Sequence, residues 1–210
     1  MKFKDVEILL SKLKEVQKPK LRLEQYTIPG NLATKILNIA YLSGDVKDKF
    51  VVDFGCGSGR LAIGAALLKA KKVVGVDIDK DVLRIAKLNV KLAEDLSGQK
   101  ISDIVRFVCM NVRDWNFVVD TIIQNPPFGI QSEGLDLLFL EKALKSARVV
   151  YSLHRGPEAR GFLKRFIEEK DGKIVSIHTF KFPIPHMFKF HRKPKVKIDV
   201  DLYVIRTGLR

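Results

Sequence analysis

The sequence predicts an α/β domain: a seven-stranded, mostly parallel sheet with the last strand antiparallel, helices on both faces and an N-terminal helical extension. Three observations predict it. Short apolar runs that read as strands alternate with amphipathic helical segments from Phe50 to Glu169. A glycine-rich turn, Asp53-Phe54-Gly55-Cys56-Gly57-Ser58-Gly59, joins the first such run to the helix after it. Two late runs, Lys173 to Phe182 and Val196 to Arg206, have no helix between them and should pair as an antiparallel hairpin with a long, basic connection.

The elements follow in order. Val6, Leu9, Leu10, Leu13 and Val16 recur at three- and four-residue intervals, the apolar face of a helix from Phe3 to Val16 that ends near Pro19. Leu23 to Pro29 has no helical period and reads as an ordered loop into a second helix, Asn31 to Leu42, closed by Ser43-Gly44-Asp45. Strands follow at Phe50 to Phe54, Lys72 to Asp77, Val105 to Cys109 and Val118 to Gln124. Helices lie between them at Arg60 to Lys69 and Asp81 to Leu96. Leu135 to Ala147 is helical, Val149 to Leu153 is a fifth strand, and Pro157 to Glu169 is a helix with proline in its first turn. This order divides the chain into an N-terminal segment, residues 1–30, and one domain, residues 31–210.

Composition narrows the class. No window approaches the roughly 20 consecutive apolar residues of a membrane span, and Met1-Lys2-Phe3-Lys4-Asp5 lacks the apolar core of a signal peptide. We therefore expect a soluble, cytoplasmic protein. Two cysteines, Cys56 and Cys109, provide neither a disulfide framework nor a metal-ligand spacing, and the four histidines share no metal spacing, so no metal site is expected. The net charge of +14 is concentrated late in the chain: Lys142 to Lys197 holds 15 Lys and Arg against 4 Asp and Glu. A polyanionic partner is the natural reading, with a merely solvated surface as the alternative.

In the glycine-rich turn, glycines let the backbone bend sharply and approach a ligand. A dinucleotide site would want a small residue where Arg60 stands. The spacing instead resembles the acidic, then Gly-x-Gly-x-Gly, motif of S-adenosylmethionine enzymes, in which the leading acid, here Asp53, faces the cofactor's positively charged methionine end. Gly55, Gly57, Ser58 and Gly59 form the cradle. Asp77, ending the second strand, can accept both ribose hydroxyls, and Asn111, after the third, can read the adenine edge. Their neighbours Ile78 and Val112 complete the expected cofactor set. Asp79 reads as a helix cap. The strand order resembles the Rossmann-like class I methyltransferase sheet over about Asn31 to Arg206.

Asn125-Pro126-Pro127-Phe128 ends the fourth strand. Two prolines donate no hydrogen bond and hold the chain extended, so the strand stops there and presents Asn125 at its carboxyl end, where α/β sheets bind ligands. An exocyclic adenine amine is a poor nucleophile and must be oriented. The Asn125 oxygen and the Pro126 carbonyl can each accept one of its N–H bonds, Pro127 keeps them rigid, and Phe128 offers a face for the base. The tetrapeptide resembles the signature of amino methyltransferases acting on adenine N6, cytosine N4, guanine N2 or the protein glutamine amide. It names the geometry and leaves the substrate open.

Further stretches bear on the substrate. Leu23-Glu24-Gln25-Tyr26, Val150-Tyr151-Ser152-Leu153-His154, Phe188-Lys189-Phe190-His191 and Asn125 to Gly129 together resemble methyltransferase-like protein 5 and its archaeal relatives, over nearly the whole chain. The resemblance implies adenine-N6 methylation of small-subunit ribosomal RNA, a cofactor lid made by Gln25 and Tyr26 within residues 1–30, and RNA-contacting roles for His154 and His191. It also implies a small zinc-binding activator subunit along the edge strand Val105 to Cys109, with the zinc held by that partner. Ile28 stands where a threonine is expected and Asn111 where an aspartate is. Independently, Phe180, Phe182, Phe188 and Phe190 interleave with Lys181, Lys189, Arg192, Lys193, Lys195 and Lys197, a pattern that suits a flipped base and flanking phosphates. Hairpin core is the alternative for at least half of those rings. Protein glutamine methylation and a cofactor-binding scaffold without turnover are the competing functions.

Overall fold

The computed structural model describes residues 1–129, 134–185 and 195–209, with only the backbone of Leu21, Ile184, Pro185, Lys195 and Val196. Among the described residues, six α-helices, α1 (Phe3–Lys12), α2 (Gly30–Leu42), α3 (Arg60–Leu67), α4 (Lys80–Ser97), α5 (Leu135–Leu144) and α6 (Arg160–Glu169), accompany seven strands. These are β1 (Phe50–Phe54), β2 (Lys72–Asp77), β3 (Val105–Cys109), β4 (Val119–Gln124), β5 (Ala147–Arg155), β6 (Lys173–Pro185) and β7 (Lys195–Arg206). They form one sheet in the order β3-β2-β1-β4-β5-β7-β6, parallel except for β7, which runs against both its neighbours.

Alternation along the strands divides the core in two. Val51, Ile123, Val149 and Tyr151 face a layer of α1, α2, α3 and α4; Val52, Ile122 and Val150 face α5 and α6. Trp115 packs edge-on against Phe54 in the second core, donating its Nε1–H to the Phe117 carbonyl. Phe182 is fully buried and Phe180 partly so, placing both in the hairpin core. The order reverses at β1, whose neighbours are β2 and β4, so a crevice opens at the carboxyl ends of β1 and β4. Among the described residues, no helix is long and apolar enough to cross a membrane.

Several boundaries differ from expectation. The first helix stops at Lys12, because Leu13 turns extended (φ −64°, ψ 142°) and the buried Asn89 amide engages both backbone groups of Lys14. A 3-10 turn, Leu21–Leu23, interrupts the expected irregular stretch, and another, Pro157–Ala159, precedes α6. β5 begins at Ala147, taking residues read as the end of the preceding helix, because Val119 and Ala147 pair across the sheet. Helices α1 and α2 cross at Gly30, where a Cβ would collide with Ser11.

Asp45 ties the sheet's middle to the loop after α2. Its carboxylate accepts from the Tyr151 hydroxyl (2.7 Å) and from both Arg206 terminal nitrogens (3.0 Å each), and its carbonyl accepts from Thr121. Asp45→Ala removes the carboxylate that the buried Tyr151 hydroxyl and Arg206 share. The expected loss is about 2 to 3 kcal/mol of unfolding free energy, measured by denaturant titration.

Candidate active site

Asp53, Gly55, Gly57, Ser58, Asp77, Ile78, Asn111, Val112, Gln25 and Tyr26 all line one pocket, with Asn125 and Pro127 at its far side. Ten of the eleven residues expected to hold the cofactor thus converge, and only Gly59 does not line the cavity. Its φ of +82° caps α3, and a Cβ there would lie 2.8 Å from the Phe107 ring, so Gly59 serves the turn and the packing beneath it. Gly55 and Gly57 also have positive φ, and the Gly55 and Cys56 N–H groups both bond to the Val76 carbonyl.

Two carboxylates give the pocket its character. Asp53 is almost fully buried, and its Oδ2 accepts from the Ala62 N–H (3.1 Å). Burial raises its pKa well above the ordinary 3.8; the Ala62 amide opposes the rise and the nearby Asp77 charge adds to it. Asp77 accepts from the Gly57 N–H (2.9 Å) and the Asp79 N–H (2.9 Å), and burial outweighs those bonds to raise its pKa too. Two acids whose ionisation burial opposes make a pocket that a positively charged ligand stabilises.

The N-terminal segment closes the pocket, and three polar side chains hold it there. Arg60, almost fully buried, donates to the carbonyls of Ile28 and Leu13. Asn89, completely buried, joins Lys14 to the Ser58 carbonyl in the glycine turn. Asp79 caps α4, as expected, and also accepts from Gln25 Nε2 (2.8 Å) and pairs with Lys20 Nζ (2.8 Å). Ile28, in the position expected to hold threonine, is buried core, and its carbonyl does the bonding. Asn111 caps the 3-10 turn Val112–Asp114, its Oδ1 accepting from the Arg113 N–H (3.0 Å), a bond an aspartate would also make.

Asn125 Oδ1 is buried and has no hydrogen-bond partner among the described residues. Phe128 departs from expectation: its ring is covered. Tyr26 stacks on it (centroids 6.2 Å, 20°) and Phe182 meets it edge-on (5.5 Å, 87°). A third ring between Tyr26 and Phe128 would need two contacts of about 3.5 Å each, so a base reaches Phe128 only if Tyr26 shifts.

His154 also departs. It was expected at the RNA surface, but it is 1% exposed on the α5 face of β5, because strand alternation turns it inward with Val150 and Ser152. Lys197 is exposed near the start of β7, and Lys195 precedes it; Lys189, His191, Arg192 and Lys193 lie outside the described residues. β3 is an edge strand, as expected. Phe107 packs inward over Gly59 and Gly75, so the exposed side chains of the strand are Arg106 and Cys109, with Ile78 exposed after β2.

Arg60 and Asn89 were not recognised as functional from sequence. Asn89 had a signal, since it interrupts the buried stripe Val82, Leu83, Ala86, Val90 and Ala93 of α4. Arg60 had none, because its partners lie 32 and 47 residues away.

The fold and this pocket define a Rossmann-like methyltransferase that uses S-adenosylmethionine. A family model described as ribosomal protein L11 methyltransferase (PrmA) matches residues 30–125. A Methanocaldococcus jannaschii protein described as uncharacterized is 40% identical, covering 98% of this chain and 94% of its own. The rRNA N(6)-adenosine-methyltransferase METTL5 of Danio rerio is 36% identical, covering 96% of this chain and 97% of its own. A Pyrococcus horikoshii crystal structure, provisionally described as an RNA methyltransferase, has a TM-score of 0.88 at 38% identity and covers 100% of this chain and 99% of its own. The chain belongs to the methyltransferase-like protein 5 family of rRNA N6-adenosine methyltransferases.

The two raised carboxylates set a pH dependence. An acid whose pKa rises on folding disfavours the folded state once it ionises. The ligand-free protein therefore loses stability as pH rises from near 3.8 through the raised native values of Asp53 and Asp77. A cation paired with the ionised forms binds more tightly over the same window. Calorimetric affinity for S-adenosylmethionine should strengthen with rising pH and then level off, and Asp53→Asn should flatten the rise.

Proposed function

We propose that the protein transfers the methyl group of S-adenosylmethionine to the N6 amine of an adenine in small-subunit ribosomal RNA, in the cytoplasm. One observation carries the reading: the buried Asn125 oxygen lines the pocket under the glycine turn with no partner among the described residues. A buried polar atom left unpaired costs about 1 to 3 kcal/mol, and a substrate N–H recovers it.

Bound S-adenosylmethionine supplies an electrophilic methyl group on a cationic sulfur. Asp53 favours its positive end, Asp77 accepts its ribose hydroxyls, and Gly55, Gly57, Ser58, Ile78, Asn111 and Val112 shape the remaining wall, with Gly59 holding the turn behind them. Gln25 and Tyr26 form the lid within residues 1–30. Asn125 Oδ1 and the Pro126 carbonyl each accept one N–H of the target amine, which directs its lone pair at the methyl carbon. No strong base is needed, because the amine becomes acidic only after the methyl has moved. Tyr26 yields the face of Phe128 to the incoming base, and Pro127 keeps the acceptors in place.

Lys189, His191, Arg192, Lys193, Lys195 and Lys197 supply phosphate contacts around that base. A small zinc-binding activator covers the free edge of β3, pairing with its backbone and burying the exposed Ile78 and Cys109. Methylation of a protein amide is the second reading; the L11 methyltransferase match favours a protein substrate and does not name an amide. That match ends at Asn125, short of the prolines and of the basic hairpin.

Incubating the protein, with the activator, in cell extract with labelled methyl donor separates the readings. Label lost to ribonuclease is expected; label lost to protease would favour the amide, and no label in either fraction a scaffold. Asn125→Ala should abolish turnover and leave cofactor affinity nearly unchanged, whereas equal loss of both would assign Asn125 to the cofactor. Replacing Lys193, Lys195 and Lys197 together should flatten the log-log salt dependence of RNA binding by about one unit per lost phosphate contact. An unchanged slope would return these lysines to the solvated surface.

A further inference from the structure

At the carboxyl ends of β4 and β5, the sheet face covered by α5 turns polar. Gln124 and Ser152 pair across these strands, and His154 follows on the same face. All three are at most 1% exposed. Gln124 Nε2 donates to Ser152 Oγ (2.8 Å), and Ser152 Oγ lies 2.8 Å from His154 Nε2. The serine oxygen accepts from Gln124 and keeps its own proton, which it can donate to Nε2 of a neutral imidazole. A neutral His154 then carries its own proton on Nδ1. That nitrogen has no hydrogen-bond partner among the described residues and lies 3.7 Å from Asp136 Oδ2, in the first turn of α5. The Tyr203 ring stands edge-on to the imidazole (5.8 Å, 80°) and holds its plane.

These residues bracket the catalytic tetrapeptide. Gln124 immediately precedes Asn125, and Asp136 sits beside Leu135, which lines the pocket. We propose that His154 is a positioning residue for methyl transfer: its Nδ1–H latches Asp136 and sets the spacing between the end of β4 and the start of α5, the two anchors of the Asn125 segment. The gap exceeds an ordinary N–H···O distance by about 0.8 Å, so a shift of that size in the first turn of α5 closes it and carries Leu135 with it.

The kinetic consequence rests on the adenine-N6 reading; the imidazole geometry does not. Nitrogen-15 imidazole spectra of the full chain should place the His154 proton on Nδ1, with a shift that Asp136→Asn alters. In single-turnover transfer to RNA with the activator present, His154→Gln and Asp136→Ala should each slow the reaction about 100-fold, the cost of a misplacement near 1 Å. Affinity for S-adenosylmethionine should stay within about twofold. His154→Asn, whose amide can take the place of Nδ1, should recover about tenfold over His154→Gln. A proton on Nε2, an unaltered rate in both variants after correction for folded fraction, or a parallel loss of rate and cofactor affinity would overturn the latch. If the wild type transfers no methyl to RNA, the N6 reading fails and the imidazole spectra alone decide the latch.

Discussion

A segment with little regular structure must still satisfy its backbone, and the stretch from Leu13 to Ile28 does so in part through Arg60 and Asn89 of the domain it covers, which bond the backbone of Leu13, Lys14 and Ile28. Arg60, Asn89 and Asp79 stand on or cap α3 and α4, the helices that follow β1 and β2. Gly57 lies in the turn before α3, and Asp77 ends β2 just before α4. The strap and the cofactor cradle are therefore one hydrogen-bonded unit, and Asn89 joins them through the Ser58 carbonyl itself. The strap places Gln25 and Tyr26 over the pocket, and through Tyr26 it reaches the ring of Phe128.

The two halves of the pocket use polar burial in opposite ways. At the ends of β1 and β2, burial raises the pKa of Asp53 and Asp77 despite the backbone amides they accept from, so a cation favours their ionised forms. At the end of β4 the groups are neutral. The Asn125 oxygen lines the pocket without a partner among the described residues, and behind it Gln124, Ser152 and His154 form a buried hydrogen-bonded chain. A neutral acceptor suits an amine that needs aiming more than deprotonation, since a fixed charge there would compete with the cation next to it.

The sheet topology makes this division. β1 and β2 deliver the acids, β4 delivers Asn125, and reversal of strand order at β1 sets the two sides facing each other across a crevice. The antiparallel hairpin of β6 and β7 completes the floor: Phe182 supports Phe128 from one edge, and Tyr203 orients His154.

The sequence by itself determined the strand and helix order, the antiparallel last strand, the edge position of β3, and the convergence of the glycine turn, Asp77, Asn111 and Asn125 at strand ends. These are local signals: period, glycine and proline chemistry act over a few residues, and strand ends in this topology converge whatever lies between them. Tertiary structure decided the rest. The end of α1 depends on Asn89, distant in sequence, and the strap on Arg60, whose side chain looked like a mere exception to a glycine pattern. His154 is implied by the resemblance to contact RNA, although its even spacing from Val150 and Ser152 already placed it on their face; only the packing of α5 showed that this face was buried. Tyr26 over Phe128 had no sequence signature, because stacking between rings 102 positions apart follows from how the strap is tied down.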